Sequence, residues 1–140
     1  MSLLYEEESY KIRGAVFEVY NQLGYGHKEI IYQKALAQTF ANKGLVFETE
    51  KRLPVFFDGQ KVGVYVPDFL IGSRIIIEVK AKPVIVLPDI RQFWQYLKGT
   101  DYKLGLLINF GNPRDVQIIR RVYDTKRSKE IPRKSARDSA

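Results

Sequence analysis

Apolar residues recur along the first forty positions at helical spacing, and then the period changes. Between Tyr10 and Leu23, residues Ile12, Val16, Val19 and Leu23 fall on one stripe, and Gly24 follows as a stop. A second stripe of Tyr32, Ala35, Leu36, Thr39 and Phe40 predicts a helix from about Lys28 to Lys43, with Gly44 just past its end. Val46 to Phe57 and Lys61 to Ile71 then read as two strands joined at Asp58-Gly59, a strong hairpin signal. Ile75-Ile76-Ile77-Glu78-Val79-Lys80 predicts a third strand after Gly72-Ser73-Arg74. Ile90, Phe93, Trp94 and Leu97 predict a third helix, opened by Pro88-Asp89 and ended by Gly99. Leu104 to Asn109 is a continuous apolar run, as in a strand covered on both faces, and Val116 to Tyr123 adds an edge strand. The helix between strands three and four implies a parallel, right-handed crossover. This is the order of a single α/β domain with a mixed sheet over residues 1–123. Residues 124–140 have almost nothing to bury and are expected to form a disordered basic tail.

Charge adds a hint about partners. The 140 residues carry 23 Lys and Arg against 16 Asp and Glu, a net charge of +7, with a pI near 9.6. Such a balance favours an anionic partner such as nucleic acid. The tail holds six basic and three acidic residues, so it supplies +3 and leaves +4 on the body. The absence of cysteine excludes disulfides, thiolate catalysis and cysteine-held zinc or iron–sulfur sites. His27, the single histidine, excludes an all-histidine metal cage and argues against a Ser-His-Asp triad. No apolar run approaches the ~18–20 residues that span a bilayer, and the N-terminus is acidic where a secretory signal is basic, so a cytoplasmic protein with no membrane contact is expected.

The chemistry concentrates at Pro67-Asp68 and Glu78-Val79-Lys80. Glu78 and Lys80 are two apart on one strand and leave the same face. With a three-residue loop at Gly72-Ser73-Arg74, Ile71 faces Ile75 and Asp68 faces Glu78; a two-residue loop, unless a bulge near Pro67 restores the register, puts the acids on opposite faces. Two converging carboxylates suit Mg²⁺ or Mn²⁺, which polarises a phosphoryl oxygen and acidifies a bound water. Lys80 then holds or deprotonates that water or neutralises developing phosphorane charge. The same residues also fit a solvated strand end with a Glu–Lys pair. Glu29, at i−3 from Tyr32 and i−7 from Leu36, shares the inward helical stripe and offers a further acid, with Tyr32 orienting it or touching phosphate. Glu29 equally fits a first-turn helix-dipole acid, three after Gly26. Gln92 and Tyr96, four apart, present two hydrogen-bonding groups to a phosphate or strand end, or an ordinary wet face.

Together, Gly26-x-x-Glu29-x-x-Tyr32, Pro67-Asp68, Glu78-Val79-Lys80, Gln92-x-x-x-Tyr96-Leu97 and Gly105-Leu106-Leu107-Ile108-Asn109-Phe110-Gly111 resemble the GxxExxY family, within the PD-(D/E)XK nuclease superfamily. Gln92-x-x-x-Tyr96 also resembles the motif of that superfamily's exonuclease branch. The resemblance implies a restriction-endonuclease-like αβββαβ core, here with an extra N-terminal helix. It implies Asp68, Glu78 and the Val79 carbonyl as metal ligands and Lys80 as the catalytic lysine. Glu29 becomes an auxiliary acid, and Gln92 and Tyr96 become substrate contacts. The expected function is Mg²⁺- or Mn²⁺-dependent hydrolysis of nucleic acid, DNA ahead of RNA. The rival is a non-catalytic nucleic-acid- or partner-binding subunit of a larger repair or defence assembly. A homodimer is compatible with either.

Overall fold

The computed structural model describes residues 5–123, so the expected tail lies outside the described residues. Two helices open the chain, α1 (Glu6–Leu23) and α2 (Glu29–Asn42). Three glutamates, Glu6, Glu7 and Glu8, crowd the first turn of α1, where the helix dipole favours negative charge and carries the helix start four residues before Tyr10. Ile12, Ala15, Val16 and Val19 of α1 pack with Tyr32, Leu36 and Phe40 of α2 in one buried cluster.

Strands follow as β1 (Phe47–Thr49), β2 (Leu53–Phe57), β3 (Gln60–Tyr65), β4 (Phe69–Ile71) and β5 (Ile75–Lys80). Then come α3 (Leu87–Thr100), β6 (Leu104–Asn109) and β7 (Gln117–Val122). The main sheet has the order β1-β4-β5-β6-β7, with β5 and β6 parallel across α3 and the other neighbours antiparallel. The expected α/β architecture with a mixed sheet is the one observed.

The two long expected strands are each cut in half. One arm breaks at Glu50, whose φ of 55° is left-handed, and the other at Val66-Pro67-Asp68. The breaks lie opposite one another: Thr49 pairs Phe69 below them and Leu53 pairs Tyr65 above. Beyond them, β2 and β3 form a separate two-stranded ribbon that packs on α3. Its turn is the expected Asp58-Gly59, both at positive φ, and a bulge falls at Val55/Phe56. Gly99 does not stop α3, which runs on to Thr100 and ends at the left-handed Asp101. Instead Gly99 is a packing notch, since a β-carbon there would lie 3.1 Å from the Val55 side chain of the ribbon.

The sheet is covered on both faces. Ile75, Ile77 and Val79 of β5 face α1 and α2, whereas Ile76 joins Leu53, Tyr65, Phe93 and Leu97 under α3 and the ribbon. All six residues of β6 are buried, as its unbroken apolar run requires. By alternation, Glu78 and Lys80 continue the Ile76 face to the end of the strand, where α3 and the ribbon leave an opening.

Candidate active site

The register places the acids. Ile71 pairs Ile75 and Phe69 pairs Ile77 around the three-residue loop, so Asp68 comes opposite Glu78, one residue before β4 begins. The two residues clasp across the strand break. The Asp68 N–H donates to Glu78 Oε1 at 3.1 Å, and the Val79 N–H donates to Asp68 Oδ2 at 2.7 Å. The strand break explains why a carboxylate does this work: β4 pairing begins only at Phe69, so the Asp68 side chain and not a ladder carbonyl accepts from the Val79 N–H. In a continued ladder Pro67 would face Val79, but proline has no N–H to give. The N–H and C=O of one strand residue leave on the same side, so the Val79 carbonyl also points toward the Asp68 side with no ladder donor from Pro67.

Burial sets the acidity. The Glu78 carboxyl is pushed up to about 7, first by desolvation and then by the negative charge of Asp68. The nearby Tyr65 hydroxyl, the Asp68 N–H and Lys80 oppose this. Asp68 is also raised by burial, against its bonds from the Val79 N–H and from Gln33 Nε2, the latter at 3.0 Å. The consequence is measurable. A carboxyl with a raised pKa in the fold favours folding when protonated, so that contribution is complete below pH 4.5 and gone above about pH 7. In EDTA, stability to urea is expected to fall across that window by up to about 3 kcal/mol for Glu78. A flat profile would show that the carboxyl is not desolvated.

Lys80, Gln92 and Tyr96 line one cleft with Glu78, together with Tyr65 and Asp89. The Tyr65 ring stacks on Tyr96 with centroids 4.2 Å apart. Its hydroxyl is buried beside Glu78, close enough to favour the ionised carboxylate, yet it forms no hydrogen bond of standard geometry with any group among the described residues. Asp89 holds Lys82 Nζ through both carboxylate oxygens, at 2.8 and 2.9 Å, and this contact keeps its carboxyl below the usual range.

Tyr32 sits away from the cleft, and Glu29 lies at its edge within reach of the charges of Asp68 and Lys80. Tyr32 is fully buried; its hydroxyl donates to the Gly24 carbonyl and accepts from the His27 N–H, and its ring stacks on Phe110. It ties the α1–α2 turn to the core and has no hydroxyl free for substrate. Glu29 is the first residue of α2 after Lys28, so it does not form a capping box with Gly26. It is exposed; partial desolvation of its carboxyl and the charge of Asp68 raise its pKa, while Lys80 and Lys82 act against them. The α2 side chain that touches Asp68 is Gln33, one turn further on.

Asn109 is a further organising residue, fully buried at the end of β6. Its Oδ1 accepts from the N–H groups of Lys82 and Gly111, and its Nδ2 donates to the Lys82 carbonyl and to Gln117 Oε1. This clamp fixes the chain just after Lys80. Gly111 completes it, because a β-carbon there would collide with the Ala81–Lys82 backbone.

Among the described residues no three His, Cys, Asp or Glu side chains converge as a ready-made metal cluster. The donor set here is two carboxylates and a main-chain carbonyl, all hard oxygens. That fits Mg²⁺, which binds through one or two carboxylates and keeps several waters.

No curated protein matches the chain. Among solved structures it is similar to an alkaline exonuclease (LHK-Exo) from Laribacter hongkongensis, with TM-score 0.50 and 12% identity over 93% of this chain and 76% of that one. It is also similar to SSO0001, with TM-score 0.44 and 14% identity over 94% and 84% of the respective chains. At such identity the exonuclease likeness concerns the fold. The sequence model of the PD-(D/E)XK nuclease superfamily matches residues 6–122. The chain belongs to the PD-(D/E)XK nuclease superfamily, whose chemistry is hydrolysis of nucleic-acid phosphodiesters.

Proposed function

We propose that this protein is a divalent-cation-dependent deoxyribonuclease of the GxxExxY type, with residues 1–123 as the cytoplasmic catalytic unit and residues 124–140 as a basic strand-holding tail. The observation that carries the reading is the pairing of Asp68 with Glu78, with Lys80 on the same face of β5. In this reading Asp68, Glu78 and the Val79 carbonyl hold Mg²⁺ or Mn²⁺, which when bound supplies charge stabilisation and an acidified water. Lys80 orients the attacking water and neutralises charge on the phosphate oxygens. Gln92, exposed on α3, and Tyr96 bind the strand beside the scissile bond. Glu29, at the rim, acts as an auxiliary acid. A basic body fits a polyanionic substrate.

The test is cleavage of labelled single- and double-stranded DNA and RNA by the purified chain with Mg²⁺ or Mn²⁺. Cleavage of DNA is expected, and binding without cleavage of any substrate would favour the non-catalytic subunit. A second expectation concerns salt. Affinity for duplex DNA should fall with a slope of about −0.9 per phosphate neutralised. Removing 124–140 should flatten that slope in a titration of affinity against salt, and equal slopes would take the tail out of binding.

A further inference from the structure

A buried hydroxyl with no partner works against the fold, and this fold keeps one at the edge of its site. Tyr65 is only 6% exposed, and its hydroxyl, beside Glu78, has no hydrogen bond of standard geometry among the described residues. Packing dictates where that oxygen lies: the backbone pairs with Leu53 at the base of the ribbon, and the ring stacks on Tyr96 with 7° between planes. Phenylalanine would fill the same space with no orphan, so ring packing does not account for the hydroxyl; what it adds is a dipole beside the Glu78 carboxylate, which favours the ionised form. The cleft beside it has a volume of about 10 Å³. That is close to the room one water needs, and a buried water takes about two to four polar partners. Besides Tyr65, the polar residues that line the cleft are Glu78, Lys80, Asp89, Gln92 and Tyr96.

We infer that Tyr65 is a positioning residue whose hydroxyl anchors, in this cleft, the water that hydrolyses the phosphodiester. The inference rests on the nuclease reading and adds a residue to it. Tyr65 transfers no proton and makes no bond to phosphorus. It satisfies one hydrogen-bonding direction of the water while Lys80 and Glu78 take others, which confines the oxygen before attack.

The test is Tyr65→Phe, which removes one oxygen and keeps the stacked ring. Turnover is expected to fall by about 10- to 100-fold with KM within about twofold, since the water and not the strand loses its anchor. The melting temperature should stay within about 2 °C of the wild type, because the stacked ring is kept and the bond lost is one to water. A Tyr65→Phe chain that cuts at the wild-type rate overturns the inference and leaves the nuclease reading standing. A melting temperature several degrees lower, with turnover lost in parallel, assigns the hydroxyl to the fold and also overturns it. A wild-type chain inactive on every substrate overturns the nuclease reading and this inference with it.

Discussion

Asp68→Asn, Glu78→Gln and Lys80→Ala should each reduce DNA hydrolysis by at least about 10³-fold while the chain stays folded. The amide variants are chosen because each carboxylate has two duties. Asp68 caps the Val79 N–H and Glu78 caps the Asp68 N–H. Alanine at either position would strand a backbone donor at a cost of about 1–3 kcal/mol and mix a folding defect with a chemical one. An amide keeps an oxygen to accept that bond but removes the charge that a cation needs. Glu78→Gln also removes a desolvated acid facing Asp68, so its melting temperature at pH 8 is expected to match or exceed the wild type. Lys80 accepts from the Phe110 N–H through its main-chain carbonyl, but its side chain makes no hydrogen bond among the described residues and can be truncated outright. Turnover is read from cleavage of labelled duplex DNA, and folding from circular dichroism on the same samples. Any of the three variants retaining wild-type turnover would remove its residue from the chemistry.

Asn109→Ala should have the largest effect on stability. The side chain makes four hydrogen bonds from a fully buried position, two of them to the main chain of Lys82. Truncation leaves the Lys82 N–H and C=O without their partner and opens a small cavity, a combined cost of about 3 kcal/mol. In a chain of this size that is a fall of about 10 °C in melting temperature. Turnover should fall as well, because the clamp fixes the two residues after Lys80. Asn109→Asp separates these effects: it keeps the acceptor for the Lys82 and Gly111 N–H groups but loses both donated bonds. An Asn109→Ala chain as stable as the wild type would show that water replaces the clamp.

Much of this was readable in the chain because strand geometry counts in twos. Once Gly72-Ser73-Arg74 is taken as a three-residue loop, Asp68 falls opposite Glu78 and Lys80 joins Glu78 on one face, as the pairing shows. The crossover and the buried β6 followed from a helical stripe between two apolar runs. The break between ribbon and sheet was less accessible. Glu50 takes a left-handed backbone that its residue type does not announce, and Pro67 marked a disturbance without saying that both arms would bend there. That bend brings Tyr65 to Glu78, and no periodicity survives across it to reveal the contact. Gly99 has the look of a helix stop because it lies near a helix end, whereas the demand for glycine there comes from Val55 on a distant strand. On α2 the first-turn acid drew attention, yet Gln33, one turn along, reaches Asp68. Tyr32 lay correctly on the inward stripe, and full burial is what commits its hydroxyl to Gly24 and His27. Asn109 did carry a signal, as a lone polar residue closing a buried apolar strand.

The most direct measurement is a Mn²⁺ titration that follows metal binding by electron paramagnetic resonance and cleavage of labelled duplex DNA in the same samples, for wild type and Glu78→Gln. The account predicts that wild-type cleavage rises with Mn²⁺ occupancy and vanishes in EDTA, and that Glu78→Gln loses both binding and cleavage. Cleavage that persists in EDTA, or a Glu78→Gln chain that cuts like the wild type, would contradict it.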